Sequence, residues 1–297
     1  MRTLKLTILG WLFGSVLYAH ADCVGVITAG GGYVFWGEVE RGAEAAADEL
    51  GLTLYTRGAA DEINVQAQGA LIERISNLGC RGLVLAPNSV THLERIASLN
   101  AEGIPTVFVD RDIGGDRVSV IKTDNDYAGA LAAREMINAL GTERQVAVFR
   151  MDPEVATTTE REEAFIRTLQ DAGVTLVVSD YLGTEVGDAR ENAYALLVAH
   201  PEIEVVFTPN ESTSLGTQAA IKRLPVADRP IHIGFDANPR LIQAVEDGDM
   251  LGLVEQSPFE MGYQGIRTVH RAMHQQAVEL YQSVPATFRV RSDASGG

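Results

Sequence analysis

Basic residues are scarce in this chain: 24 Lys and Arg stand against 40 Asp and Glu, for a formal net charge of −16. Nucleic-acid binding is driven by Lys and Arg on phosphates, so this balance argues against a nucleic-acid partner. Catalytic signatures are missing as well. No G-x-S-x-G nucleophile elbow occurs. His270 and His274 stand four apart, but HRAMH lacks the glutamate of H-E-x-x-H, so a solvated helical face is expected rather than a metal site. Gly30-Gly31-Gly32 is followed by Tyr33, Val34, Phe35 and Trp36 instead of Gly-Lys-Ser/Thr, which leaves no room for a pyrophosphate and removes the nucleotide cofactor such a loop would hold. No cofactor is expected. After residue 21 no run approaches the roughly 18 consecutive apolar residues that span a bilayer. A long linker and low-complexity segments are also missing before the terminal SDASGG.

The first 21 residues carry Arg2 and Lys5, the apolar run LTILGWLFGSVLYA and then Ala19-His20-Ala21, the A-x-A form of a signal peptidase site. Export with cleavage after Ala21 is expected, leaving a soluble, periplasmic protein that starts at Asp22. Lipid attachment at Cys23 is the alternative, but Asp22 is not the small residue which that cleavage wants. The two cysteines, Cys23 and Cys80, then lie in an oxidising compartment.

Beyond Cys23, apolar runs of four to six residues alternate with helical patterns of about 12 to 16, the signature of βαβ units and a mainly parallel sheet. The runs VGVITA, LTLYT, GLVLA, TVFVD and VSVIK form one set, with helices expected over 36–50, 63–78 and 91–101. QVAVF, TLVVS, EVVFT, HIGF and LGLV form a second, with helices over 127–140, 159–171, 188–199, 212–222 and 239–246. The expected fold is α/β, with two similar doubly wound lobes. Crossings near Thr123-Asp124, Gln256-Ser257 and Val284-Pro285 place residues 22–123 plus 257–284 in an N-terminal lobe and 124–256 plus 285–297 in a C-terminal lobe, joined by a hinge of several strands. In a doubly wound sheet of order 2-1-3-4-5, strands 1 and 3 are neighbours. Cys23 and Cys80 open those strands, so a disulfide at the edge opposite the ligand is expected, with two separate buried thiols as the alternative.

Ligands of open α/β sheets bind outside the carboxyl ends of the strands. Polar residues follow the apolar runs there: Asp110 and Arg111 after PTVFV, Asn210 after VVFTP, Asp236 after HIGF and Gln256 after LGLVE. Arg161 joins them from a helical pattern. Carboxylates, guanidinium groups and amides make paired hydrogen bonds that suit the neighbouring hydroxyls of a sugar. Asp110 and Asp236 also resemble a glycosidase pair, but as hydroxyl grips they need no chemistry, and no enzyme activity is expected.

In their order and spacing, FWGEVERGAEAAADELG, PTVFVDRDI, KTDNDYAG, EREEAF, VVFTPNE, HIGFDANP and VEQSP resemble the periplasmic sugar-binding proteins of the ribose, galactose and allose type. That family shares its two-lobed fold with the ligand-binding part of LacI-type repressors, but a signal segment stands here where a repressor has its DNA-binding helices. The resemblance implies that Phe35 and Trp36 pack on the sugar ring and that Asp110, Arg111, Arg161, Asn210, Asp236 and Gln256 bind its hydroxyls. Specificity is expected at Tyr33, where ribose-binding relatives differ, and at Tyr181 and Glu185, where many relatives place an aromatic. The resemblance further implies a monomer that captures a monosaccharide or related polyol and delivers it to a membrane ABC permease, or signals instead to a sensor kinase or chemoreceptor.

Overall fold

A computed structural model describes residues 22–292. The expected export segment and its cleavage site after Ala21 lie outside the described residues, as does the tail from 293. In chain order the first half contains β1 (Cys23–Thr28), α1 (Val34–Leu50), β2 (Thr53–Gly58), α2 (Val65–Asn77), β3 (Cys80–Leu85), α3 (Leu93–Ala101), β4 (Thr106–Val109) and β5 (Ser119–Thr123). The second half follows with α4 (Asn125–Leu140), β6 (Gln145–Arg150), α5 (Ala156–Asp171), β7 (Thr175–Tyr181), α6 (Val186–Ala199), β8 (Val205–Phe207), α7 (Glu211–Ile221), β9 (Ile231–Phe235), α8 (Pro239–Glu246) and β10 (Gly252–Glu255). It ends with α9 (Pro258–Met273), β11 (Tyr281–Val284) and β12 (Thr287–Arg289).

The strands form two six-stranded sheets, ordered β11-β5-β4-β3-β1-β2 and β12-β10-β9-β8-β6-β7. Every pairing is parallel except β10 with β12. Both sheets thus repeat the 2-1-3-4-5 order of a doubly wound α/β fold, with one further strand at an edge. The chain passes from the first sheet to the second after β5, returns after β10 through α9 to β11, and crosses once more to β12.

Each sheet is apolar on both faces because helices cover both. In the first, Val24, Val26, Val84, Val107 and Ile121 pack beneath Val39, Ala43 and Ala46 of α1 and Met261, Ile266 and Val269 of α9. Helices α1 and α9 approach so closely that a Cβ on Gly42 would stand 1.9 Å from the carbonyl oxygen of Phe259, and one on Gly262 would stand 1.8 Å from that of Val39. In the second, Val146, Val148, Phe207 and Phe235 pack against Ala132 and Met136 of α4 and Phe165 and Leu169 of α5. Phe165 and Phe207 stack at 4.1 Å.

Cys23 and Cys80 pair across β1 and β3 and are joined as a disulfide. The bridge occupies the amino ends of these strands, away from the carboxyl ends where the polar residues gather. Among the described residues no helix is long and apolar enough to cross a membrane. The structure adds α9, β11 and β12 to the elements expected from the sequence, and helix starts differ: α5 begins at Ala156, three residues early, and the stretch Val90–His92 is a 3-10 turn ahead of α3.

Candidate ligand-binding site

Two aspartates at equivalent strand ends organise the cleft. Asp110 follows β4 and donates its backbone N–H to Ile121 of β5, while Asp236 follows β9 and donates to Val254 of β10. Both adopt the left-handed backbone, with φ of 61° and 72°. Non-glycine residues reach that region at a cost and cluster where a side chain must be aimed, and aspartate tolerates it better than most. The left-handed kink turns each carboxylate into the crevice, and both side chains are buried.

All eight residues expected to touch ligand, together with Tyr33, line one cavity between the sheets. It has about 360 Å³ of space not filled by atoms, its open mouth included. Arg161 enters from α5, only 2% exposed despite its acidic neighbours in the sequence. The helix is brought in by Gly129 of α4, where a Cβ would stand 2.1 Å from the carbonyl oxygen of Arg161. The Arg161 guanidinium donates from Nε to Asn125 Oδ1 at 2.8 Å, from Nη1 to the Pro209 carbonyl at 3.0 Å and from Nη2 to Gln256 Oε1 at 2.8 Å. It also lies 4.3 Å over the Phe235 ring, a cation–π contact. Gln256 Oε1 accepts from Thr123 Oγ1 as well, and its Nε2 donates to Asp236 Oδ1 at 2.7 Å. The two strand crossings at Thr123 and Gln256 are therefore hydrogen-bonded to each other and to the cavity wall.

Asp110 is different. Its carboxylate stands 3.6 Å from Arg111 Nε and 3.8 Å from Arg161 Nη2, and among the described residues it accepts no side-chain hydrogen bond. The close partner of Arg111 is Glu62 in the loop after β2. Glu62 Oε1 also accepts from Trp36 Nε1 at 2.8 Å. Gly30 makes this possible, since a Cβ there would lie 2.7 Å from Glu62 Cγ. The glycine run thus admits a carboxylate rather than a phosphate. Phe35 and Trp36 meet edge to face at 4.8 Å, and Arg111 lies 5.8 Å over the Trp36 ring.

Asn210 caps α7, accepting from the Thr213 N–H at 3.2 Å while its side chain still borders the cavity. Tyr33 borders the cavity and donates its hydroxyl to the Thr184 carbonyl of the facing lobe at 3.3 Å. Burial, with Glu185, Glu62, Glu211 and Asp61 around it, pushes the Tyr33 hydroxyl far above its ordinary range. Neither Tyr181 nor Glu185 borders the cavity. Tyr181 is exposed with Arg150 5.0 Å over its ring, and Glu185 stands at the start of α6 near the cleft mouth. Six further residues of the wall, Glu62, Met151, Thr157, Thr158, Glu211 and Ser212, were not anticipated from the sequence. Glu211 sits in the VVFTPNE stretch beside Asn210, and that adjacency was the available signal.

Burial raises the Asp236 carboxyl from its ordinary value of 3.8 to about 7, against the pull of Arg161 and the Gln256 hydrogen bond. Asp110 is raised for the same reason, with Arg161 and Arg111 opposing. A raised carboxyl contributes stability that is full below about pH 3.8 and is lost as pH rises through about 7. His232 runs the other way, because burial lowers it from 6.5 to about 3. A comparison with Asp236→Asn separates the two. The melting temperature of the unliganded wild type relative to that variant should be highest near about pH 4 and decline toward about pH 7, then level off. Parallel melting curves over that range would remove Asp236 as the titrating group.

The arrangement offers carboxylate acceptors, guanidinium donors and aromatic faces within one cleft, the means to hold a small ligand rich in hydroxyls. Residues 24–277 match the family model described as a periplasmic binding protein domain. The chain is 26% identical over 272 residues to the D-allose-binding periplasmic protein of Escherichia coli, covering 88% of this chain and 87% of that one. It is 25% identical over 250 residues to a ribose import binding protein of Salmonella typhimurium, with 82% of each covered. The crystal structure of a periplasmic component of an ABC-type sugar transport system from Hahella chejuensis superposes with a TM-score of 0.85 at 30% identity, over 90% of this chain and 99% of the other. These relatives are binding proteins and not enzymes. Two parallel-sheet lobes, a strand-end cleft and a family match over most of the chain lead to one conclusion: this protein belongs to the periplasmic binding protein domain family.

Proposed function

We propose that this protein is an exported solute-binding protein that closes its two lobes on one monosaccharide or related polyol and delivers it to a membrane ABC importer. The lobes are residues 22–123 plus 257–284 and the remainder from 124, and the protein works in the periplasm as a monomer after cleavage following Ala21. One observation carries the ligand class. The Asp110 carboxylate is buried between two guanidinium groups, yet accepts no hydrogen bond from the described residues. Such a group is costly unless a ligand supplies donors, and adjacent sugar hydroxyls supply two. Phe35 and Trp36 present apolar faces for the C–H side of the ring. The names of the relatives above, which bind D-allose and ribose, support the same reading.

A thermal-shift screen of the mature protein against pentoses, hexoses, deoxysugars and polyols tests it. A ligand at about 100 times its Kd stabilises by about 2.7 kcal/mol, so one or a few related sugars should raise the melting temperature by several degrees. A shift from another solute class, with none from any sugar, would take the cavity residues away from carbohydrate.

A further inference from the structure

Helix α1 begins without a cap of its own. Tyr33 precedes it with no side-chain hydrogen bond, and no acidic residue stands in its first turn. The first amides of a helix need acceptors, and its positive end favours a carboxylate. Here the acceptor comes from the other lobe. Glu211, the first residue of α7, accepts from the Val34 N–H through Oε1 at 3.1 Å and from the Phe35 N–H through Oε2 at 3.0 Å. Asn238 Nδ2 donates to Oε1 at 2.8 Å, and the backbone N–H of Glu211 donates to Asp236 Oδ2 at 2.8 Å. The carboxylate is thus buried between the amino ends of two helices, 4% exposed for the residue as a whole.

We propose that Glu211 is the closing latch of this protein: it supplies, across the cleft, the cap that α1 lacks, and so stabilises the closed arrangement before any ligand enters. The same contact sets Phe35 and Trp36, the first aromatics of α1, against the cavity, which makes Glu211 a positioning residue rather than a ligand contact. When the lobes part, Val34 and Phe35 lose their acceptor and turn to water. Among the described residues the other hydrogen bonds across the mouth are longer, namely Tyr33 to the Thr184 carbonyl at 3.3 Å and Thr184 Oγ1 to Asp61 Oδ1 at 3.4 Å, while Lys122 Nζ meets Glu160 at 3.0 Å beside the strand crossing. The inference rests on the reading of two closing lobes but not on the identity of the ligand.

The test uses the unliganded mature protein. With the two native cysteines bonded to each other, a spin label on Arg57→Cys, at the exposed end of β2, broadens amide resonances of the second lobe only when the lobes approach. The minor state of such an equilibrium is populated at about 0.1 to 10%, and relaxation enhancement across the cleft reports on it. In the otherwise wild-type protein, amides around Thr184 and Ser212 should broaden. Glu211→Gln keeps the shape but cannot accept from both amides, and loss of a helix cap corresponds to a factor of about ten. The enhancement should therefore fall about tenfold in Glu211→Gln, and by less in Asn238→Ala, which removes one of its supports. Equal enhancement in wild type and Glu211→Gln would overturn the latch, as would a wild type with no enhancement across the cleft. Neither result bears on whether the cleft binds sugar, which the thermal-shift screen decides separately.

Discussion

Replacing Asp110 by alanine is expected to weaken ligand binding by about 3 to 5 kcal/mol, a loss of two to four orders of magnitude in Kd, because it breaks a buried charge cluster at one partner. Arg111 keeps Glu62 in the variant. Arg161 does not fare as well, since Asp110 is the only carboxylate within 4 Å of it among the described residues. The guanidinium would then face a closed, dry cleft with only neutral acceptors, and the ligand hydroxyls would lose the one carboxylate of the cavity wall that accepts no hydrogen bond from the described residues. Calorimetric titration of wild type and variant with the same sugar measures the difference directly. Folding should weaken as well, because alanine inherits a left-handed backbone that aspartate tolerates better, so the comparison of Kd is made on variant protein shown to be folded. An unchanged Kd would take Asp110 out of the contact set and leave the cleft without its unpaired acceptor.

Replacing Cys80 by serine has an effect of similar size on a different property. The disulfide closes a loop with a sequence separation of 57. The chain-entropy relation for a loop of that length gives about 4 kcal/mol of stabilisation. For a protein of this size such a loss lowers the melting temperature by about 8 to 16 °C. The bridge lies at the amino ends of β1 and β3, while the cavity lies beyond their carboxyl ends, so the affinity of the folded protein should not change. Denaturant unfolding of wild type and Cys80→Ser, followed by calorimetry on each, reads both properties. A variant as stable as wild type would mean that the bridge contributes nothing to folding. A variant with weaker binding would couple two regions that the fold keeps apart.

The fold was legible because its signal is repetitive. Buried parallel strands read as apolar runs, the helices between them read as a 3.6-residue period, and the order of the runs alone places Cys23 beside Cys80. Strands β11 and β12 were not legible, because YQSV and TFR are short, half polar and formed only by docking on β5 and β10. Strand-end polar residues were legible by position. Arg161 was harder, since its burial depends on Gly129 in another helix and its acidic neighbours suggest a solvated face. Glu62 and Glu211 escaped because nothing local distinguishes a buried acid from a surface one. Glu62 is buried through Gly30, Trp36 and Arg111, all distant in sequence, and Glu211 through amides of the opposite lobe. Trp36 shows the same limit from the other side: its position suggested a ring-packing aromatic, but the Glu62 bond that fixes its indole is visible only in three dimensions.

The most direct measurement is a crystal structure of the mature protein grown with the sugar that most raises its melting temperature. The account predicts one sugar ring between the two lobes, its face on Phe35 or Trp36 and at least one hydroxyl within hydrogen-bonding distance of the Asp110 carboxylate. A sugar bound elsewhere on the surface, or seated in the cleft with Asp110 still unbonded, would contradict it.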